Sequence, residues 1–94
     1  MFRATINKEG EILLSGRFDA SQAEKARKVF DKVTKSSIVN FKDLEYISSA
    51  GLGILLYSQR RLSESGNSLK LVNMNSYIRD VFKYAGFDKV FEIE

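Results

Sequence analysis

The stretch of this chain best suited to chemistry is Ser48-Ser49-Ala50-Gly51-Leu52-Gly53, where two hydroxyls and three small residues run straight into an amphipathic segment. A hydroxyl at such a junction can cap a helix by accepting from a backbone N–H two or three residues on. One hydroxyl suffices for a cap. Small neighbours leave the second hydroxyl and the backbone open to another molecule. A helix N-terminus also favours an added phosphate, because its free N–H groups and the dipole attract negative charge. The plainer alternative is that Ser48 and Ser49 are both cap residues. Serine nucleophilic catalysis fits poorly, since no base is evident to activate the hydroxyl.

Composition narrows the chemistry further. The chain has no histidine and no cysteine, which removes the usual general base, thiolate nucleophiles, disulfides and the commonest zinc ligands. The carboxylates are scattered, mostly at caps and on solvated faces, and Gly51-Leu52-Gly53 lacks the spacing of a phosphate-cradling nucleotide loop. No cofactor is expected. A net charge of +3 is too mild to argue for nucleic acid, although Lys25, Arg27, Lys28, Lys32 and Lys35 make one helix basic. No apolar stretch is long enough to span a bilayer, and Met1–Thr5 lacks the apolar core of a signal peptide, so a cytoplasmic protein without direct membrane insertion is expected.

The elements that must position the serines follow from patterning. The 94 residues are 44% apolar and 29% charged, the profile of one globular domain, here taken as 1–94. Phe2–Ile6 alternates as a half-buried strand, Asn7–Gly10 carries turn chemistry, and Glu11–Ser15 reads as the second strand of a hairpin. Gly16 to Asp19 end that strand. Ser21 and Glu24 have capping-box spacing ahead of a helix whose inner face is Ala23, Ala26, Phe30 and Val33.

Ser37–Phe41 reads as a buried strand, Lys42–Ile47 as a connection, and Ser48 opens a helix. One face of that helix is Leu52, Leu55, Leu56, Gln59 and Leu62, apolar except for Gln59, and Gly66 is placed to stop it. Leu69–Asn73 is a further strand. Asn75 or Ser76 caps a helix with Ile78, Val81, Phe82 and Ala85 inward and Gly86 at its end, and Val90–Ile93 fits a final edge strand. The sum is an α/β domain: a mixed sheet of four to five strands with α-helices after an opening hairpin.

At this point the pattern resembles the STAS domain family, named for sulfate transporters and anti-sigma factor antagonists, and especially its small bacterial antagonists. Those carry a strand, a short loop, an Asp-Ser-Ser/Thr-Gly-Leu-Gly-like motif and then a helix; here the matching residues are Ser48 to Gly53. Gly16-Arg17-Phe18-Asp19 followed by Ala23 is similar to the family's opening to its first helix. Leu69–Asn73 with Ile78, Phe82 and Gly86-Phe87 is similar to its last strand and helix. The resemblance covers about Ile12 to Ile93.

It implies a non-enzymatic regulator that works by partner switching. The unmodified antagonist binds an anti-sigma factor that is also a serine kinase, phosphorylation ends the binding, and a serine phosphatase restores it. Alignment through Gly51-Leu52-Gly53 puts the modified residue at Ser49, with Ser48 as the alternative. Ser48 stands where many members have aspartate. The implied contact surface centres on Ser48, Ser49, Ala50, Gly51 and Gly53. It extends to Ile54, Tyr57 and Arg61, which fall off the Leu52/Leu55/Leu56 face, and to Asp19, which alone would read as a helix-capping aspartate. A second implied role is a docking subunit, not phosphorylated, of a lipid-transport ABC system or sensory assembly.

Overall fold

The computed structural model describes residues 1–94. Five strands, β1 (Arg3–Ile6), β2 (Ile12–Phe18), β3 (Ser37–Ile47), β4 (Leu69–Val72) and β5 (Glu92–Ile93), lie side by side in chain order. Between them run α1 (Ala23–Phe30), α2 (Ser49–Ser63) and α3 (Ser76–Tyr84). β1 and β2 form the antiparallel hairpin expected from the sequence, and each later strand is parallel to its predecessor. The hairpin turn is built by Asn7, whose side-chain oxygen accepts from the N–H groups of Glu9 and Glu11, and by Gly10 at φ +82°.

Three successive right-handed crossovers between neighbouring parallel strands put all three helices on one face of the sheet. Burial along β2 records this: Ile12, Leu14, Gly16 and Phe18 are buried while Leu13 and Arg17 are exposed. The core lies between that face and the helices. Phe2 packs on Phe18 at 4.6 Å between ring centroids, and Phe82 meets Phe41, Phe87 and Phe91 edge-on. The open face carries Asn40 bonded to Glu11 and Asn73, and Arg17 stacked over Tyr46 at 4.3 Å, beside the exposed Leu13 and Ile38.

Two expectations need correction. Lys42–Ile47 is not a connection but the second half of β3, an eleven-residue strand. Two extra residues on β3, one opposite Leu13–Ser15 and one opposite Gly16–Arg17, bulge it, so Phe41, Leu44 and Ile47 point inward at intervals of three instead of two. That spacing conceals a strand. Likewise β2 continues through Gly16 to Phe18. The second correction concerns the capping box, which does not form. Asp19 accepts from the Ser21 N–H and hydroxyl to cap a 3-10 turn over Ala20–Gln22, which leads into α1 without a side-chain cap of its own.

Two inward assignments also change: Ala85 is the exposed C-cap of α3, and on α2 Ile54 packs on the core where Leu56 was expected to. The remaining caps hold. Asn75 caps α3 by accepting from the Ile78 N–H at 2.8 Å, and Gly66 and Gly86 take left-handed conformations after α2 and α3. Gln59, the polar break in the inner face of α2, accepts from the Leu69 N–H at 2.8 Å and donates to the Val90 carbonyl at 3.1 Å. It ties the helix to the next strand and to the approach to β5.

Candidate functional site

Phe18 and Ile47 are register partners at the C-terminal ends of β2 and β3. Asp19 and Ser48 therefore leave the sheet side by side, and the Ser48 N–H donates to the Phe18 carbonyl at 2.9 Å. In open α/β sheets this edge, where strands hand over to helix N-termini, is the usual place for recognition.

The two serines have different tasks there. Ser48 has extended backbone angles and is the N-cap of α2; its hydroxyl oxygen accepts from the Gly51 N–H at 3.3 Å and its carbonyl from the Leu52 N–H at 3.0 Å. Ser49 is the first helical residue and is exposed, and its hydroxyl is bonded to no other group of the chain. The cap is thus complete with one hydroxyl, and the second is left free in a region of positive helix-end potential.

The two glycines also differ. Gly51 is buried, and a Cβ there would lie 2.8 Å from Ile47 Cγ1 and 3.1 Å from Phe18 Cγ, so glycine is what lets α2 sit down on the ends of β2 and β3. Gly53 is exposed with nothing within 4 Å of a Cβ and ordinary helical angles. Packing gives no reason for glycine at 53. It costs the helix about 0.8–1 kcal/mol relative to alanine, and its effect is to leave the surface bare one turn beyond Ser49.

Around this point Ala50 and Ile54 are half-buried, Ile54 packing on the core. Tyr57 is 48% exposed on the outer side of α2, with the Arg27 guanidinium of α1 at 5.6 Å from its ring. Asp19 spends one carboxylate oxygen on Ser21 and keeps the other without a partner in the chain. Arg61 departs from the expected surface. Its Nη2 donates to the carbonyls of Phe30 at 2.9 Å and Val33 at 2.8 Å, fastening α2 to the end of α1, and its Nε is buried without a partner. The orphan carbonyls at a helix C-terminus attract a guanidinium strongly, and that tertiary role outcompetes solvent. Of the nine residues expected at the surface, seven lie exposed or half-buried at or near this end of the sheet and helix, while Gly51 is buried beneath α2 and Arg61 is turned to a structural task.

No three His, Cys, Asp or Glu side chains are grouped to hold a metal ion. A shallow hollow of about 590 Å³, lined by Glu9, Glu11, Lys35, Ser36, Ser68 and Lys70 among others, lies at the opposite end of the parallel strands and shares no residue with the serine motif. No helix is long and apolar enough to cross a membrane. The sequence reading missed the Arg27–Tyr57 pairing, a contact between two helices that no local pattern announces.

Comparison with known proteins returns one family. The profile described as "Mlab, STAS domain" matches residues 3–93. A candidate anti-sigma factor antagonist of Bordetella bronchiseptica, BtrV, is 30% identical over 82 residues, spanning 87% of this chain and 70% of the relative. Among solved structures, a candidate anti-sigma factor antagonist of Thermotoga maritima superposes with a TM-score of 0.80 at 22% identity, covering 99% of this chain and 85% of that one. The Bacillus cell-fate determinant SpoIIAA, solved in its phosphorylated form, superposes with a TM-score of 0.71 at 22% identity over 100% of this chain and 91% of its own.

Proposed function

We propose that this chain, which belongs to the STAS domain family, is an anti-sigma factor antagonist that acts by partner switching. With Ser49 unmodified it binds an anti-sigma factor that is also a serine kinase. Phosphorylation of Ser49 releases it, and a serine phosphatase restores binding. The observation that carries this reading is the division of labour at the head of α2, where Ser48 is spent as the cap and Ser49 is exposed with its hydroxyl unengaged. The relatives add support, since BtrV is named as a candidate antagonist and SpoIIAA has been solved with and without its phosphate.

Magnitudes favour a switch in partner over a switch in fold. A phosphoserine adds about −1.5 to −2 charges at neutral pH. At the first turn of α2 the dipole interaction is favourable by roughly 0.3–1 kcal/mol, so the domain stays folded. In a closed interface the same charge loses its water at an effective cost of several kcal/mol unless it is paired. About 4 kcal/mol is a thousandfold in affinity. The proposed contact surface is the Asp19 and Ser48–Gly53 edge with Ile54 and Tyr57 behind it, and Gly53 lets a partner side chain approach α2 closely.

The test is intact and fragment mass analysis of the protein isolated from its own cells, followed by binding measurements. One phosphate on Ser49, an Ser49→Ala variant that stays bound to its kinase, and an Ser49→Asp variant that binds more weakly are the expected results. Phosphate on Ser48 in an Ser49→Ala protein overturns the site assignment. A second reading rests on Ser48 standing where many family members have aspartate: a docking subunit of a lipid-transport ABC system. Absence of phosphate under all growth and stress conditions, together with cosedimentation with a transporter ATPase, would establish it instead.

A further inference from the structure

The net charge of this protein is not spread over its surface. Residues 23–35 carry Lys25, Arg27, Lys28, Lys32 and Lys35 against Glu24 and Asp31, a surplus equal to the +3 of the whole chain, so the remainder is balanced. All seven side chains are exposed, on α1 and the turn that follows it. Two of the cations are engaged within the fold. Lys25 donates to the Phe2 carbonyl at 3.2 Å, and Arg27 lies 3.8 Å from Asp31 and 5.6 Å from the ring of Tyr57. Lys28 and Lys32 are paired with no carboxylate. Arg27 joins this basic surface to Tyr57 on the outer side of α2, one turn beyond Gly53, and from there it runs along α1 to Lys32 and Lys35 at the far end of the sheet.

We infer that the protein partner which covers the serine edge also reaches across α1, and that it does so with an acidic surface. This rests on the docking role proposed above and adds the partner's charge to it. Complementary charge steers encounter and fixes orientation, and unpaired lysines on α1 present the sign to be complemented. The same complementarity gives the switch its direction. A phosphate on Ser49 then meets a partner surface of its own sign, so modification repels the partner as well as costing desolvation.

The experiment uses the full chain and the purified anti-sigma factor/serine kinases of the genome that encodes it, titrated at low and high salt. The variant pair is Lys28→Glu with Lys32→Glu. The control is Lys83→Glu with Lys89→Glu, exposed positions around α3 that change the net charge equally. We expect the α1 pair to weaken binding of its cognate kinase about tenfold at low salt, the control to leave it within about twofold, and the difference to fade at high salt. We also expect the penalty of Ser49→Asp to shrink as salt rises. A neutralising pair, Lys28→Gln with Lys32→Gln, checked for fold by circular dichroism, should show a smaller loss of the same kind.

If the α1 pair behaves like the control while Ser49→Asp still weakens binding, the acidic-surface inference falls and the docking role stands. If no kinase binds the wild-type chain, both fall. If wild-type protein binds a DNA duplex or phosphatidylserine vesicles, and the α1 pair abolishes that binding alone, the surface serves a polyanion and the inference is overturned.

Discussion

Gly51 and Gly53 are separated only by Leu52 on the same helix, yet alanine should stabilise the fold at 53 and give no gain or a loss at 51. In a helix interior alanine is favoured over glycine by about 0.8–1 kcal/mol. At position 53 a Cβ meets nothing within 4 Å, so the gain is realised in full. For a domain of 94 residues, 1 kcal/mol is about 4–8 °C in melting temperature, and Gly53→Ala should raise Tm by roughly 3–8 °C. At position 51 the same propensity gain is set against a Cβ placed 2.8 Å from Ile47 Cγ1 and 3.1 and 3.2 Å from the Phe18 ring. Inserting a methyl into a packed core costs about 1–3 kcal/mol, which leaves a net loss of up to about 2 kcal/mol, so Gly51→Ala should leave Tm unchanged at best and lower it by up to about 8–16 °C.

Binding separates the two further. If the surface over Gly53 admits a partner, the stabilising methyl should weaken the complex about 5- to 150-fold, which is the same 1–3 kcal/mol of overpacking read in affinity. Thermal unfolding followed by circular dichroism, with isothermal titration against the kinase, reads both quantities. A Gly53→Ala protein that is more stable and binds as before would show that glycine at 53 serves no partner. A Gly53→Ala protein that is less stable would refute the steric reasoning itself.

Further tests address what holds the site in place. Gly16 has φ +81° and a Cβ there would lie 1.5 Å from the Met1 carbonyl oxygen, so Gly16→Ala must lift the N-terminal segment and unseat Phe2 from Phe18. Urea unfolding should show a loss of about 3 kcal/mol or more, and removing Met1 and Phe2 from the variant should cost little beyond that. Arg61→Leu leaves two carbonyls at the end of α1 without their charged donor and should destabilise by about 2–3 kcal/mol, with Arg61→Lys recovering part of the loss. Lys70 has its pKa raised by a hydrogen bond and attraction from Glu94 at 3.0 Å, with Glu92 adding to it. Because the folded value lies above the unfolded one, this contribution is present at neutral pH and is lost as pH rises through the lysine range; Glu94→Gln should lower the Lys70 pKa in an NMR titration.

Sequence alone carried the order of elements, because each is announced locally: alternation in Phe2–Ile6, the Asn7–Gly10 turn, the Asn75 cap, and Gly66 and Gly86 after their helices. It also carried the location of the candidate site, since paired serines beside glycines at a strand-to-helix junction are a local pattern. What it could not carry were facts that exist only between elements. The second half of β3 is hidden because its bulges, set by register against β2, break the alternation that identifies a strand. Which serine is the cap depends on backbone angles imposed where Ser48 pairs with Phe18. Gly51 and Gly53 look alike in the chain, and only the approach of Ile47 and Phe18 makes one a packing requirement and the other a clearing. Arg61, a surface residue by helical phase, is drawn to the end of α1 because the carbonyls of Phe30 and Val33 converge there, and Tyr57 lies beside Arg27 because α1 and α2 share a face of the sheet. Local chemistry selects each element, while the meeting of separate strands and helices decides which of their side chains remain free to act.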